Sequence, residues 1–147
     1  MLKSCQFITV YIMAFCSIFL GFFAVNSFKN FGELNGISDG FLSIIGSVGS
    51  LFNFIQFLWS WLSDKYPFKY VYGLLLIFQI IFGLLLVFFE KNKWVYGFSY
   101  CMLMFCEGGH FTLVPNVLRF IFGDRATVLY GIMFSYTGIC SVVTIGL

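Results

Sequence analysis

Charge is scarce in this sequence. Eight Lys and Arg with six Asp and Glu make up 10% of its 147 residues, against about 25% in a soluble domain. A water-soluble fold is excluded on that ground together with a second. A chain of this size buries only about two-thirds of its surface, and 61% hydrophobic residues, 22 Phe among them, would leave large apolar patches in water. Histidine is nearly absent. His110 stands alone, and a zinc site needs three or four ligands, so no metal is expected. Nor is any cofactor. The five cysteines (Cys5, Cys16, Cys101, Cys106, Cys140) form no Cys-x-x-Cys pair and lie in or beside apolar runs. They read as small apolar core residues. There is no phosphate-binding glycine loop before a Lys, no Ser–His–Asp set and no paired carboxylates, so no enzyme is expected. With a net charge of +2 and no basic patch interleaved with aromatics, no nucleic-acid partner is expected.

What the chain has is long apolar runs, with a mean hydropathy of +0.97. The few charges fence it into blocks. None occurs from Ser4 to Phe28, Gly40 to Ser63, Tyr70 to Phe89 or Ala126 to Leu147, and Trp94 to Leu118 holds only Glu107. Crossing a bilayer takes about 20 helical residues, and every block suffices. The runs are continuous rather than alternating, which favours helices over barrel strands. The expectation is an all-α, polytopic transmembrane bundle. Its five helices lie near 5–28, 39–63, 69–90, 94–118 and 126–147, in one domain spanning 1–147 with the lipid bilayer as partner. A signal peptide is the rival reading of the first block. Its apolar run exceeds the usual 7–15 residues, and no small-x-small cleavage site follows.

The basic residues give an orientation. Lys3, Lys65, Lys69, Arg119 and Arg125 fall on one side of this arrangement, and Lys29, Lys91 and Lys93 on the other. The positive-inside tendency puts the N-terminus in the cytoplasm. Trp59, Trp61, Trp94 and Tyr96 lie near helix ends, as interfacial aromatics do. The fifth block runs to Leu147 with no polar flank, and this reads as a truncated gene product.

Four patterns stand out, three as candidates for chemistry and one, in the fifth block, for packing alone. In the second block Gly46, Gly49, Asn53, Gln56 and Ser60 recur every three or four residues and share a face. The glycines read as close-packing positions. Asn53 and Gln56 serve either a helix–helix hydrogen bond or a polar solute path. In the fourth block Glu107 and His110 share a face. An ionisable group at mid-membrane costs roughly 2.5–3.5 kcal/mol, so function is the default reading. The structural alternative is a protonated Glu107 bonded to a neighbouring helix. Pro115 should bend the helix near Phe111–Leu113. In the fifth block Gly131, Ser135, Gly138 and Ser141 or Val142 form a packing stripe. At the joint after the second block Asp64, Lys65 and Lys69 are placed to form a small charge network, with a solvated turn as the alternative.

That joint resembles the loop between the second and third helices of a six-helix half in the major facilitator superfamily. The family pattern is Gly-x-x-x-Asp-Arg/Lys-x-Gly-Arg/Lys-Arg/Lys, and Asp64, Lys65 and Lys69 match it. Ser60, Pro67 and Phe68 replace two glycines and one basic residue. With Lys29–Gly32, Ile45–Asn53, Glu107–Phe111, Pro115, Phe122–Gly123 and Tyr130–Gly131, nearly the whole chain resembles the C-terminal half of the oxalate/formate antiporter and monocarboxylate-porter-like branch, helices seven to eleven. The resemblance implies a solute carrier working by alternating access, with the solute near the midplane between two halves. It implies Asp64, Lys65 and Lys69 as gating-loop residues, and a small solute, such as a monocarboxylate or similar organic anion, as substrate. It also implies a second partner, either a missing N-terminal half or a second copy. Unlike oxalate-type members, this chain has no Lys or Arg inside a helix block. A membrane scaffold or interaction subunit without transport of its own is the alternative.

The orientation is open to direct test. The sequence has no Asn-x-Ser/Thr sequon, so introduced sequons report on a clean background. A sequon within Lys29–Ser38 should be glycosylated, and one within Asp64–Lys69 should not. The reverse pattern would invert the orientation.

Overall fold

The computed structural model describes residues 2–145, with side chains from 5 to 143. Every regular element among them is helical. Helix α1 covers Leu2–Leu34, α2 Asp39–Phe54, α3 Phe57–Lys65, α4 Phe68–Phe88 and α5 Lys93–Phe122. A 3-10 turn at Gly123–Arg125 leads to α6, Ala126–Met133, and α7, Ser135–Ile145.

Local chemistry sets the joints. Gly36 adopts φ +80°, a backbone conformation that costs glycine little, and turns the chain after α1. Tyr66 is extended ahead of Pro67, whose fixed φ starts α4. The Asn92 side chain caps α5 by accepting from the backbone N–H of Trp94 at 3.2 Å and of Val95 at 3.4 Å. Gly123, at φ +58°, ends α5. Pro115 lies inside α5, which continues through it as one element.

Four stretches are long and apolar enough to cross a membrane: Cys5–Leu34, Asp39–Lys65, Phe68–Phe88 and Lys93–Val143. The second block is not one helix. The chain tightens between α2 and α3, where Gln56 N–H donates to the Asn53 carbonyl at 3.1 Å and Leu58 N–H to that of Ile55 at 3.1 Å. Such three-residue spacing marks a 3-10 interruption. The expected fifth helix is two short ones, broken at Phe134, with residues 146 and 147 outside the described range. At 8 and 11 residues, neither is as long as a crossing. The last apolar stretch doubles back at Gly123, since the Phe134 ring lies 6.0 Å from that of Phe111.

Contacts sort the joints to two ends. At one end Phe7 meets Phe122, and Asn116 meets Ser63. At the other Phe41 meets Trp94, and Lys29 pairs with Asp39 at 2.6 Å. Helix α5 is the axis, with residues buried along its whole length. The first core joins Val10, Ala14 and Ile18 of α1 to Val114 and Leu118 of α5 and to Met133 and Tyr136. A second gathers Leu42, Leu86, Tyr96 and Tyr100, and a third Trp59, Tyr72, Leu75 and Leu113. Large apolar side chains also cover the outside, among them Phe54, Phe88, Phe120 and Val142. That pattern suits lipid.

Several expected positions shift. Trp59 and Tyr96 are buried rather than interfacial, whereas Trp61 and Trp94 are exposed. The Trp59 indole donates to the Phe105 carbonyl at 3.1 Å, and the Tyr96 hydroxyl donates to that of Phe28. Each polar tip found a backbone acceptor on a neighbouring helix, which burial demands. Of the cysteines, Cys101, Cys106 and Cys140 are buried while Cys5 and Cys16 face outward. The small-residue stripe on α6 and α7 is packed only in part: Gly131 and Gly138 have open space where a Cβ would stand, whereas Ser135 Oγ is 3.2 Å from the Tyr11 hydroxyl of α1.

Close approach to α5 makes one glycine critical. A Cβ at Gly108 would stand 2.7 Å from the backbone oxygen of Asn53, which cannot yield as a side chain can. Gly108→Ala should destabilise the protein by about 1–3 kcal/mol. Gly83, with nothing within 4 Å, should accept Ala at no cost. Thermal unfolding in detergent, followed by Trp fluorescence, checks the contrast. Equal midpoints would refute the packing at Gly108.

Candidate functional site

Glu107 lies near the midpoint of α5 and is 4% exposed. Its carboxylate lies against Gly21 of α1, so closely that a Cβ there would stand 1.7 Å from Oε2. Both carboxylate oxygens are buried without a hydrogen-bond partner. Tyr72, Tyr136, Cys106 and Cys140 lie within its electrostatic reach. Glycine at 21 therefore has a spatial reason: it makes the recess the carboxylate fills.

His110, one turn on and wholly buried, belongs to a connected chain of hydrogen bonds. Its Nε2 is 2.9 Å from Gln79 Oε1 on α4. Gln79 Nε2 donates to the Ser17 carbonyl of α1 at 2.8 Å. The Ser17 hydroxyl is 2.7 Å from that of Tyr72, and the Tyr72 ring meets the imidazole edge-on at 5.5 Å. Three helices thus share one polar layer. Ser17, Gln79 and Glu107 all lie near the middles of their helices, so the layer sits at mid-depth. Buried hydrogen bonds of this kind gain strength in a low-dielectric interior, and the unpaired members there are costly.

The second pair of candidates borders this layer. Asn53 donates from Nδ2 to the Met104 carbonyl at 3.2 Å, joining α2 to α5. Gln56 packs on Gly108, and its Oε1 is buried without a partner. Gly109 lets Trp59 and Leu75 approach from the other side. The small residues beside Glu107 therefore thin α5 where three other helices crowd it.

The joint residues lie elsewhere. Asp64, Lys65 and Lys69 are exposed at one end of the bundle. The charge network expected there does not form. Lys65 Nζ sits over the Trp61 ring at 3.8 Å, and the ion pair among the described residues is Lys29–Asp39. The physical reason is local: one turn of α3 carries Lys65 back over the exposed Trp61 ring, whose face attracts the cation while its other sides stay in water. Asp64 instead borders a cavity of about 550 Å³ shared with Asn116, Arg119 and Phe120.

Reasoning from sequence missed Ser17, Gly21, Tyr72, Gln79 and Tyr136. Gln79 carried a signal, as the one amide in the block from Tyr70 to Phe89. Ser17 and Gly21 carried none, since small residues are common in apolar helices. Searches of family models, of curated proteins and of solved structures find no match to this chain.

A double-mutant cycle tests the contact that shapes the site. Gly21→Ala must push the end of the Glu107 side chain out of its recess, and because that end can swing aside it should destabilise the protein less than Gly108→Ala, by about 1 kcal/mol. In a Glu107→Ala background that cost should largely vanish, because residues in direct contact are not additive. Additive effects on thermal unfolding would show that the two side chains do not meet.

Proposed function

We propose that this chain is a membrane-embedded part of a solute carrier of the major facilitator type. It moves a small solute, a monocarboxylate or similar organic anion, by alternating access. The observation that carries the reading is Glu107, a buried carboxylate with unpaired oxygens at the middle of α5. An ionisable group in a membrane interior is expensive, and function is what retains it. Two further features support the reading. The polar layer lies at mid-depth, where carriers hold solute, and the interrupted passage from α2 to α3 adjoins it, as broken helices do in carriers. In this reading α6 and α7 together make a fifth crossing, corresponding to helix eleven. Asn53, Gln56, Glu107 and His110 line the path, and Asp64, Lys65 and Lys69 belong to a cytoplasmic gating loop.

A second reading has its own observation. Gly131 and Gly138 leave a small-residue face open on α6 and α7, which suits helix association. On that reading the chain is a scaffold or interaction subunit.

Flux separates the two. The path of such a carrier lies between two halves. Purified monomeric chain in liposomes should therefore take up no labelled organic anion, and uptake should appear with a second copy or a complementary half. Glu107→Gln in that assembly should remove the pH dependence of uptake while leaving membrane abundance unchanged. Uptake absent in every assembly would favour the scaffold, and an unchanged pH profile would reduce Glu107 to a packing role.

A further inference from the structure

The hydrogen-bond chain through Gln79 decides where the histidine proton sits. A backbone carbonyl only accepts, so the Gln79 atom facing Ser17 O is its amide nitrogen. The amide oxygen then faces His110 Nε2. That oxygen also only accepts, so Nε2 must carry the hydrogen. Nδ1 is left as the lone-pair nitrogen, and it is buried without a partner. One turn earlier on the same face, both Glu107 oxygens are buried and equally without a donor. Two proton acceptors of different chemistry thus stand close together with nothing to share.

Among the described residues, their surroundings supply no positive charge. Helix α1 presents Gly21 and Ser17, and α4 presents Gln79 and Tyr72, whose hydroxyl is engaged by Ser17. From α7 come Tyr136 and Cys140, and from α5 itself Cys106. The segment around the α2–α3 break contributes Gln56 and Trp59. No Lys or Arg is among them.

We propose that Glu107 and His110 form a binding site for one exchangeable proton, and that Gln79 is its positioning residue. The inference rests on the carrier reading and deepens it by naming the coupling ion. With the site empty, the carboxylate carries one negative charge and the imidazole none. A proton from water bonds to a Glu107 oxygen, and the new O–H donates to His110 Nδ1, directly or through one water. The charge of the pair rises from −1 to zero. Release reverses the step. Because Gln79 occupies Nε2–H, only Nδ1 is offered to the exchanging proton.

The single histidine makes the test specific. Nitrogen-15 histidine labelling of the full chain in phosphatidylcholine nanodiscs reports His110 alone. The expected spectrum shows hydrogen on Nε2 and an Nδ1 resonance that moves with pH. In Glu107→Gln that movement should be lost, an effect that a purely structural Gln79–His110 bond would not produce. In Gln79→Leu the protection of Nε2–H against solvent exchange should fall about tenfold, the worth of one hydrogen bond. Hydrogen on Nδ1 in the wild type, or a pH response of Nδ1 that survives Glu107→Gln, overturns the proposal. Should Gln79→Leu fail to fold, the comparison of wild type with Glu107→Gln still decides. The spectra are independent of flux. A proton signature without transport would retire the carrier reading alone, and transport without the signature would retire the proton site alone.

Discussion

A polar group inside an apolar, water-poor bundle must find its partner within the protein or bear the full cost of desolvation. The arrangement around α5 follows from that constraint. Trp59 and Asn53 both reach across to α5 and spend their donors on the carbonyls of Phe105 and Met104. Tyr96 does the reverse, donating from α5 to the Phe28 carbonyl of α1. Gln79 uses both ends of its amide, one on α1 and one on α5. These bonds fix which helices neighbour one another more specifically than apolar contact can, because Leu and Phe pack with little directional preference.

Against that background the unpaired groups stand out. Glu107, His110 Nδ1, Tyr136 and Gln56 Oε1 gather around the middle of α5, while Ser99 Oγ is buried without a partner nearer its start. A structure that satisfies the amide of Gln79 at both ends yet leaves a carboxylate bare has gathered most of its unmet hydrogen-bonding capacity around Glu107. Glycines make the arrangement sterically feasible. Gly21 yields the recess for Glu107, and Gly108 and Gly109 admit the α2–α3 break and the Trp59 ring. Removing side-chain volume there lets helices approach closely enough for side chains to reach backbone carbonyls.

Much of the fold is legible in the sequence. The charge-free blocks located the long helices, because the charges of Lys29, Asp64 or Lys93 are cheapest where water reaches them. Glu107 and His110 were conspicuous as ionisable residues in an apolar run. Other features were hidden for physical reasons. Nothing in Asn53–Gln56 breaks a helix by composition. The interruption coincides with Gly108 bringing α5 against the Asn53 carbonyl, a contact between residues far apart in sequence. Trp59 and Tyr96 looked interfacial because amphipathic rings near helix ends usually are, yet each had a carbonyl within reach inside the bundle.

Composition alone determined the all-helical class and the long apolar stretches, since backbone pairing within a segment is the available way to carry such a sequence through lipid. Local chemistry alone determined the turns at Gly36, Pro67, Asn92 and Gly123. Only the tertiary structure decided that the last block folds back as two short helices. Only it decided that Gln79 of α4 bridges His110 of α5 to Ser17 of α1. Such pairings depend on distances between helices. Those distances are set by the summed packing of many weak contacts, which no single stretch of sequence contains.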